Sequence, residues 1–478
     1  MIEVNHSHIK IHNYQLGDSN TLERMLSVWD NVSFKNTWCN YYYNEGERYI
    51  VIPRGLKVNY LQYLFQDKEL FINTKPDKKA KATYNCIVEP RDDKQKEAID
   101  FLLGNNETSQ NTTERMLCMK TGGGKTYCTI NALSKLGYRS LVVVDQEKIM
   151  LQWKKEFLSF TDLTEDDIYL INGRQTLDKI RKMKVTQVQS KVFIATHQTL
   201  NYYMTYNPIL FKNAFDKIRI GTVVYDEAHC YVNSMFNLNF ALNTELTVYL
   251  TATPNRSNLQ EDKVYQKSLE MVPKFGLEDK FNDLYHNIYY ISYNSNPDHK
   301  TIARCQSTRG FNINAFSDYT INDTWDKFYD IILELVKICT AKEEYGKTAI
   351  ILHKNEHILK LKEALEADFE GIDIGIFSSL IPSLKDREKE LQKKIIISTD
   401  KSLGKAVDIK DLQFCIMTTP TSSPVLAEQT LGRLRKLDNR NVLYFDVTDV
   451  GFKSCVHQRK ARRKVLDKKA KSIKLLNL

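Results

Sequence analysis

Short runs of β-branched and aliphatic residues alternate with longer helix-like stretches from about residue 86 onward. Continuous apolar runs separated by helical patterns are typical of parallel strands that are buried on both faces. The first series comprises 115–119, 140–145, 191–196, 221–226 and 247–252, and the second comprises 347–352, 372–377, 394–399, 413–418 and 441–446. The pattern therefore predicts an α/β protein with two tandem parallel-sheet domains.

Changes in this pattern divide the chain into four parts. Residues 1–85 are rich in aromatic side chains and predict a small mixed α/β domain, which the basic stretch 75–82 links to the rest. The two parallel-sheet domains are predicted at 86–283 and 284–450. Residues 451–478 are predicted to form a basic, helical tail.

Two features of the first 85 residues have alternative interpretations. His6, His8 and His12 alternate like one face of a strand; this spacing favours strand histidines over a metal site. The tyrosine run 41–43 could stack nucleic-acid bases, but cross-strand packing is the favoured interpretation.

Composition narrows the class of protein. The chain has 478 residues, with 68 Lys+Arg against 59 Asp+Glu and a formal net charge of +9, which permits a polyanionic partner. The nine cysteines are scattered without any C-x-x-C spacing, which argues against a disulfide framework and a zinc site. No apolar run approaches the length of a membrane span. We therefore expect an intracellular protein without a membrane anchor.

The basic charge is concentrated near the end of the sequence. Residues 453–474 hold ten Lys or Arg residues and one acid, Asp467, so their net charge of +9 equals that of the whole chain. This segment predicts either a phosphate-binding surface or a solvated helix face, and the sequence leaves both interpretations open.

The segment 119–126, Met-Lys-Thr-Gly-Gly-Gly-Lys-Thr, lies between a predicted strand and a predicted helix. Glycines allow backbone N–H groups to surround phosphates, and the helix N-terminus favours negative charge. Lys125 would reach the β- and γ-phosphates of ATP, and the Thr126 hydroxyl would bind Mg²⁺. The alternative is a glycine-rich turn beside a surface lysine, which the strand–loop–helix context disfavours. The candidate loop residues are Thr121, Gly122, Gly123, Gly124, Lys125 and Thr126.

A second polar group follows the strand predicted at 221–226. Asp226, Glu227 and His229 form the sequence Asp-Glu-Ala-His, a DEAH-type box. Ligands of α/β sheets bind at the carboxyl ends of parallel strands, so these side chains should lie beside the phosphate loop. Asp226 would hold Mg²⁺, Glu227 would deprotonate the attacking water, and His229 would couple nucleotide state to the neighbouring domain. The alternatives are an ordinary polar strand end and a structural histidine.

Together these motifs resemble those of the superfamily 2 helicases, and further segments match that family in order. Residues 89–98 resemble the family's entry segment, which would place Gln95 against adenine. Residues 142–153 resemble motif Ia, with Asp145-Gln146 in place of the usual Pro-Thr; we interpret Trp153 at its end as helix packing. Residues 195–200 resemble a DNA-backbone motif carried by Thr196.

The resemblance continues to residue 436. Thr251 and Thr253 belong to a segment similar to motif III, which couples hydrolysis to movement. Residues 398–408 resemble motif V, in which Thr399 would contact nucleic acid and Asp408 would serve coupling; Ala406 replaces the usual glycine. Residues 429–436 resemble motif VI, in which Gln429, Arg433 and Lys436 would contact ATP. Lys436 departs from the usual arginine and lacks its planar, two-pronged guanidinium.

Motif spacing is similar to the branch of phage UvsW-type, poxvirus transcript-release and XPB/Rad25 helicases. The resemblance implies two RecA-like domains that bind ATP and Mg²⁺ in a cleft between them, with Arg433 stabilising the transition state. It also implies 3′ to 5′ movement on DNA, with RNA as an alternative, by a phage or viral protein that is expected to be monomeric.

Two other functions remain as alternatives. One is a nucleic-acid-dependent ATPase that translocates or releases transcripts without unwinding. The other is a binding protein with a decayed cleft, against which the intact Lys125, Asp226, Glu227 and Arg433 argue.

Overall fold

The computed structural model describes nine stretches of the chain in two compact units, Met1–Asp279 and Lys280–Leu478. The described residues are 1–30, 35–72, 79–119, 122–252, 259–276, 284–307, 310–403, 409–437 and 440–478. Within them, no helix has the length and apolar character that crossing a bilayer requires.

The amino-terminal part of the first unit is a five-stranded mixed sheet with strand order β5-β6-β2-β1-β7. Its alternating residues place Ile2, Ile9 and Ile11 on the buried face, and Tyr41 and Tyr43 pack against the same core. The packing interpretation of the tyrosine run therefore holds for these two side chains. The elements are β1 (Ile2–Val4), β2 (His8–His12), α1 (Asn20–Met25), β3 (Ser27–Asp30), β4 (Lys35–Cys39), β5 (Tyr42–Asn44), β6 (Tyr49–Pro53), α2 (Val58–Leu64) and β7 (Leu70–Ile72).

This small sheet is docked on the following α/β domain by buried polar contacts. The Ser7 hydroxyl donates to the Asn239 carbonyl over 3.0 Å, and the Met271 N–H donates to the Gly55 carbonyl over 2.8 Å. A Cβ at Gly55 would lie 2.5 Å from the Ser268 carbonyl oxygen, so the two backbones approach as closely as glycine alone permits. The small domain is therefore part of the first unit.

The three histidines of the small domain make separate contacts. The His12 ring lies 3.0 Å from a Glu3 oxygen, and the His6 ring lies 3.7 Å from Glu245. The His8 ring contacts the Asn239 carbonyl at 3.1 Å. They contribute to the strand face and to the docking contact.

A seven-stranded parallel sheet forms the rest of the first unit, with order β10-β11-β9-β12-β13-β8-β14. Its central strands are buried on both faces, as their continuous apolar sequences predict. The elements are α3 (Asp93–Leu103), β8 (Glu114–Cys118), α4 (Lys125–Leu136), β9 (Ser140–Val144), α5 (Glu147–Phe160), β10 (Ile168–Ile171), α6 (Arg174–Lys182), β11 (Val192–Thr196), α7 (His197–Tyr206), α8 (Pro208–Ile218), β12 (Thr222–Tyr225), α9 (Val232–Ala241), β13 (Leu246–Thr251), α10 (Leu259–Ser268) and β14 (Lys274–Phe275).

The second unit contains another seven-stranded parallel sheet, with order β19-β20-β18-β21-β22-β15-β23. Helices cover both faces through two apolar cores. The elements are β15 (His286–Tyr293), α11 (His299–Arg304), β16 (Gln306–Ser307), β17 (Gly310–Phe311), α12 (Ile313–Asn322), α13 (Trp325–Thr340), β18 (Lys347–Leu352), α14 (Asn355–Asp368), β19 (Ile374–Phe377), α15 (Leu384–Glu390), β20 (Ile395–Thr399), α16 (Asp400–Leu403), β21 (Leu412–Met417), α17 (Pro424–Leu431), β22 (Val442–Asp449), α18 (Lys453–Leu466) and β23 (Ala470–Asn477).

The predicted fold class is confirmed, since two tandem RecA-like domains follow a small mixed α/β domain. All ten apolar runs form strands of the two parallel sheets. The carboxyl-terminal segment differs from the expected helical tail. Its helix ends at Leu466, and Ala470–Asn477 pairs in parallel with β15 as an edge strand. The segment is therefore an integral part of the second domain.

Candidate nucleotide-binding site

The phosphate loop lies between β8 and α4 of the first unit. Gly122 and Gly124 have φ angles of 79° and 90°, in the region that glycine adopts without strain. The Lys125 ammonium donates to the Met119 carbonyl over 3.0 Å, so the lysine folds back across the loop. Thr126 occupies the first turn of α4, where backbone N–H groups without helical partners attract anions.

Gln95 supports this loop from α3. Its side-chain oxygen accepts the Arg91 N–H over 2.9 Å, and its side-chain nitrogen lies 3.5 Å from the Gly123 carbonyl. A Cβ at Gly124 would lie 2.2 Å from that nitrogen, so a larger residue there would displace the amide. The structure places Gln95 against the phosphate loop, and its contact with adenine stays a prediction.

Asp226 follows the last residue of β12, beside the central strand β9. Its N–H donates to the Val143 carbonyl over 2.9 Å. The Trp153 indole N–H donates to Asp226 Oδ2 over 2.8 Å. Trp153 also packs against Phe157 on α5, with ring centroids 6.0 Å apart. The interpretation of Trp153 as helix packing alone was therefore incomplete, because its polar atom orients the carboxylate.

Opposing effects act on the pKa of the Asp226 carboxyl. Burial raises the pKa of its carboxyl, and the nearby negative charge of Glu227 raises it further. The Trp153 hydrogen bond and the positive charge of Lys125 oppose these effects. The phosphate-loop lysine and the DEAH-type aspartate are therefore electrostatic neighbours, as the sequence predicts for one site.

Glu227 has a left-handed backbone, with φ 49° and ψ 48°, which is unfavourable for a residue with a side chain. His229 is buried, and its Nδ1 lies 3.5 Å from Glu227 Oε2 and 2.9 Å from the Thr251 hydroxyl at the end of β13. The structure thus brings together Glu227, His229 and Thr251 from two neighbouring strand ends. These contacts connect the Glu227 carboxylate to the end of β13.

A second set of contacts connects Asp226 to the segment that carries Thr196, the residue predicted to contact nucleic acid. The Tyr231 hydroxyl donates to the Asp226 and Val143 carbonyls, over 2.5 and 2.8 Å. The Tyr231 ring stacks on His197 at 4.4 Å, and His197 Nε2 lies 3.3 Å from Asp145. His197 directly follows Thr196. The Thr196 hydroxyl accepts the Thr199 N–H and so caps the amino terminus of α7. Packed side chains therefore connect the Thr196 segment to the DEAH-type loop.

These residues fit a nucleotide with Mg²⁺. Glu227 Oε2 is enclosed and accepts no hydrogen bond within the described part of the chain, which is costly unless water or a ligand supplies a donor. Carboxylate and hydroxyl oxygens at Asp226 and Thr126 suit Mg²⁺, which usually binds through one or two carboxylates together with substrate phosphates. The described residues contain no cluster of three or more His, Cys, Asp or Glu that would hold a metal by itself.

In the second unit, the motif VI residues follow one another through α17 and the turn after it. Gln429 lies on α17, and Arg433 and Lys436 lie beyond its end. His286 at the start of β15 contacts the Leu434 carbonyl over 2.9 Å through Nε2, and burial lowers the pKa of His286 to about 4. A neutral histidine therefore holds the turn that carries Arg433.

Thr399 ends β20, and its hydroxyl accepts the Ser402 N–H over 3.2 Å. It is 8% exposed, so its side chain supports the start of α16 more than it faces solvent. Three of the predicted site residues, Thr121, Thr253 and Asp408, lie outside the described residues.

Sequence reasoning missed Trp153 and Tyr231 as supports of the site residues in the first unit, and His286 as the support of the turn that carries Arg433 in the second. A buried tryptophan N–H needs an acceptor, which was the available signal for Trp153. The sequence offered no way to identify that acceptor, because Asp226 is 73 residues away along the chain. Tyr231 and His286 contact backbone carbonyls. Every residue has such a carbonyl, so the sequence does not indicate which one is the partner.

Known proteins match the part of the chain that contains the candidate site residues of the first unit. The family described as "Type III restriction enzyme, res subunit" matches residues 88–256, which contain the phosphate loop and the DEAH-type box. The putative DNA 3′-5′ helicase Rad25 of Haloarcula marismortui is 26% identical over 220 residues, which cover 43% of this chain and 33% of that protein. The chain matches a third or less of the length of the first Rad25 and XPB relatives.

Two further similarities extend over more of the chain. The transcript termination protein A18 of Yaba-like disease virus is 22% identical over 350 residues, which cover 70% of this chain and 67% of that protein. The structure of S. cerevisiae Dbp5 bound to RNA and ADP BeF3 superimposes with a TM-score of 0.53 and 15% identity. That match covers 80% of this chain and 89% of that one, and it shows the shared fold.

Proposed function

We propose that this chain is an ATP-driven 3′ to 5′ DNA helicase of superfamily 2, in the branch that contains XPB and Rad25. It would act on duplex or branched DNA in a phage or viral setting. The similarity to the Rad25 and XPB helicases and to the restriction-enzyme family supports a helicase-type ATPase. The DNA substrate, the polarity and the biological setting are further parts of the proposal.

One observation carries the proposal: in the first unit, the buried Asp226 carboxylate lies within electrostatic range of both Lys125 and Glu227. Lys125 would bind the β- and γ-phosphates, and Thr126 and Asp226 would hold Mg²⁺, which neutralises phosphate charge when it is bound. Glu227 would accept a proton from the attacking water. Its enclosed Oε2 atom, to which no described residue donates a hydrogen bond, supports this role. Arg433 of the second unit would stabilise charge on the transferred phosphoryl group.

Movement along nucleic acid requires that ATP hydrolysis changes the affinity of the protein for the strand. The contacts of His229 with Glu227 and Thr251 support such coupling at the hydrolytic end. The stacked pair of Tyr231 and His197 supports it at the Thr196 end. Both sets of contacts begin at the DEAH-type loop, so one displacement of that loop would reach both.

The test is strand displacement on DNA duplexes that carry a 3′ or a 5′ single-stranded tail, with ATP and Mg²⁺. The expected result is unwinding of the 3′-tailed substrate, and Glu227→Gln provides a matched control that keeps the loop and removes the base. Unwinding of only the 5′-tailed substrate would overturn the polarity. ATP turnover that no DNA or RNA stimulates would overturn the function.

A second candidate is a translocase that releases transcripts without unwinding. The similarity to the viral transcript termination protein favours it, because that match covers 70% of this chain. A stalled transcription complex with labelled RNA distinguishes the two functions. ATP-dependent RNA release without strand displacement would favour the second candidate.

A further inference from the structure

Nine of the ten basic residues of the carboxyl-terminal segment fall into two sets in the structure, and the tenth, Lys471, lies exposed on β23. Five of them have partners within the second unit. Arg459 donates to the Ser292 hydroxyl, and Lys469 pairs with Glu428. The other three are Arg462 paired with Asp446, Arg463 paired with Asp467, and Lys474 over the Tyr289 ring. This set holds the segment in place.

Arg462 is the anchor of that set. Its guanidinium donates to both Asp446 oxygens over 2.7 and 2.8 Å and to the Thr421 carbonyl over 2.7 Å. Arg462 is 1% exposed and Asp446 is 0% exposed. Loss of either partner would leave an unpaired buried charge. Deletion of the segment would therefore damage the domain and cannot test a separate basic tail.

The second set consists of four lysines whose side chains are exposed to solvent. Lys453, Lys460 and Lys464 are exposed on α18, and Lys468 is exposed just beyond its end. At 3.6 residues per turn, the three helical lysines lie within about 40° of arc. Cys455, Arg462 and Leu466 occupy the buried side of the same helix. Among the described residues, no ion pair, hydrogen bond or ring contact involves these four lysines.

Lys453 is also unfavourable for the helix that carries it. It is the first residue of α18, where the positive end of the helix dipole repels a cation, and the first turn contains no acidic residue. Helix stability therefore does not explain a lysine at this position. A polyanionic partner would remove the repulsion between the lysines and between Lys453 and the dipole.

We propose that the lysine stripe, defined as Lys453, Lys460, Lys464 and Lys468, binds the phosphate backbone of nucleic acid. This inference rests on the proposed function and adds to it a contact surface outside the helicase motifs. α18 follows β22, which runs parallel to β20 in the same sheet, so Lys453 lies toward the sheet edge at which Thr399 ends β20. The stripe then runs away from that edge along the side of the domain.

The experiment compares two full-length variants with equal changes of charge. The stripe variant replaces all four lysines with glutamine. The control variant replaces four exposed lysines on helices of the first unit, Lys155, Lys179, Lys182 and Lys212, with glutamine. Binding of fluorescein-labelled duplex DNA, single-stranded DNA and duplex RNA is measured by anisotropy over a range of salt concentrations.

The expected result is weaker binding by the stripe variant and a salt dependence that flattens by about 0.9 in log Kd per log salt for each lost duplex DNA contact. The control variant should keep the wild-type slope, and a stripe of four arginines should retain binding. ATP turnover without nucleic acid should be unchanged in all variants. The three probes show whether DNA or RNA supplies the phosphates.

Several outcomes would overturn the proposal. Equal slopes for the stripe variant and the wild type would leave the lysines as a solvated face, and equal weakening in both variants would reflect net charge alone. If the stripe variant binds poly-glutamate more weakly than the wild type but binds nucleic acid equally well, the partner of the stripe is an acidic protein. Failure of the proposed function itself is distinct, because neither DNA nor RNA would then stimulate ATP turnover by the wild type, whatever the two variants bind.

Discussion

Replacement of Trp153 by phenylalanine removes one hydrogen bond and keeps an aromatic ring. The indole N–H donates to Asp226 Oδ2 over 2.8 Å, and Trp153 is 1% exposed, so water has little access to replace the donor. A hydrogen bond to a charged group contributes about 1.5–3 kcal/mol. At about 1.36 kcal/mol per factor of ten, this corresponds to a change of about 10- to 150-fold in an equilibrium constant.

We expect this loss to weaken the binding of the Mg²⁺ that Asp226 would hold, because the bond fixes the orientation of that carboxylate. Groups that orient metal ligands typically change affinity by about 10- to 100-fold when they are removed, which agrees with the estimate from the hydrogen bond. Trp153→Phe should therefore need about 10- to 100-fold more Mg²⁺ for half-maximal effect. Nucleotide binding in the absence of Mg²⁺ should change little, since the phosphate loop is intact.

The assay is equilibrium binding of a fluorescent ATP analogue across a Mg²⁺ titration, with turnover measured at saturating Mg²⁺. Phe157→Leu provides the control, because Phe157 packs against the Trp153 ring and is fully buried. Thermal unfolding of both variants measures the cost in packing. An unchanged Mg²⁺ midpoint in Trp153→Phe, or an equal shift in Phe157→Leu, would refute the positioning role.

The remaining predictions concern turnover and stability. Glu227→Gln should keep Mg-ATP binding and lower turnover by about 10²–10⁴-fold, since it removes only the proton acceptor; Lys125→Ala should also weaken nucleotide binding, which equilibrium titration would measure. Arg433→Ala should lower nucleic-acid-stimulated turnover by on the order of 10³–10⁵. Lys436→Ala should keep a measurable fraction of turnover, and Lys436→Arg should be neutral or better in the same steady-state assay. Burial raises the pKa of Glu114 from its usual 4.5 to about 7, so its stabilising effect is present below pH 4.5 and lost as pH rises through 7. Glu114→Gln should remove a fall of about 3 kcal/mol in the free energy of unfolding over that range, measured by urea denaturation.

Each of these predictions has an outcome that contradicts it. Near wild-type turnover in Glu227→Gln would remove the assignment of the general base. Turnover as low in Lys436→Ala as in Arg433→Ala would make Lys436 a second essential contact. An active Arg433→Ala would remove the assignment of Arg433 as the residue that stabilises the transferred phosphoryl group. An identical pH profile for Glu114→Gln would place the titration elsewhere.

The phosphate loop and the two parallel sheets could be predicted because their signals are local. A glycine-rich loop between a strand and a helix needs only neighbouring residues, and a strand buried on both faces must be apolar at every position. The DEAH-type box followed from the same logic, since carboxyl ends of parallel strands share one edge. These signals sufficed to place Lys125 and Asp226 in one site, and their electrostatic interaction agrees with that prediction.

The sequence did not predict the carboxyl-terminal strand or the two roles of the basic residues near it. Ala470–Asn477 is largely exposed, so it lacks the continuous apolar pattern of the inner strands. All ten cations look alike in the sequence, although Arg462 is buried against Asp446 and Lys460 faces solvent. Their difference depends on which side of α18 meets the sheet.

The sequence by itself therefore determined the fold class and predicted the residues of the candidate hydrolytic site, because each depends on periodicity or on short motifs. Tertiary structure alone decided which distant groups support the predicted site residues within each unit. The indole of Trp153 reaches Asp226, and the ring of His286 reaches the turn beside Arg433. Such partners are selected when separate elements pack together and each buried polar atom must find an acceptor or donor within reach. No spacing along the chain encodes that choice.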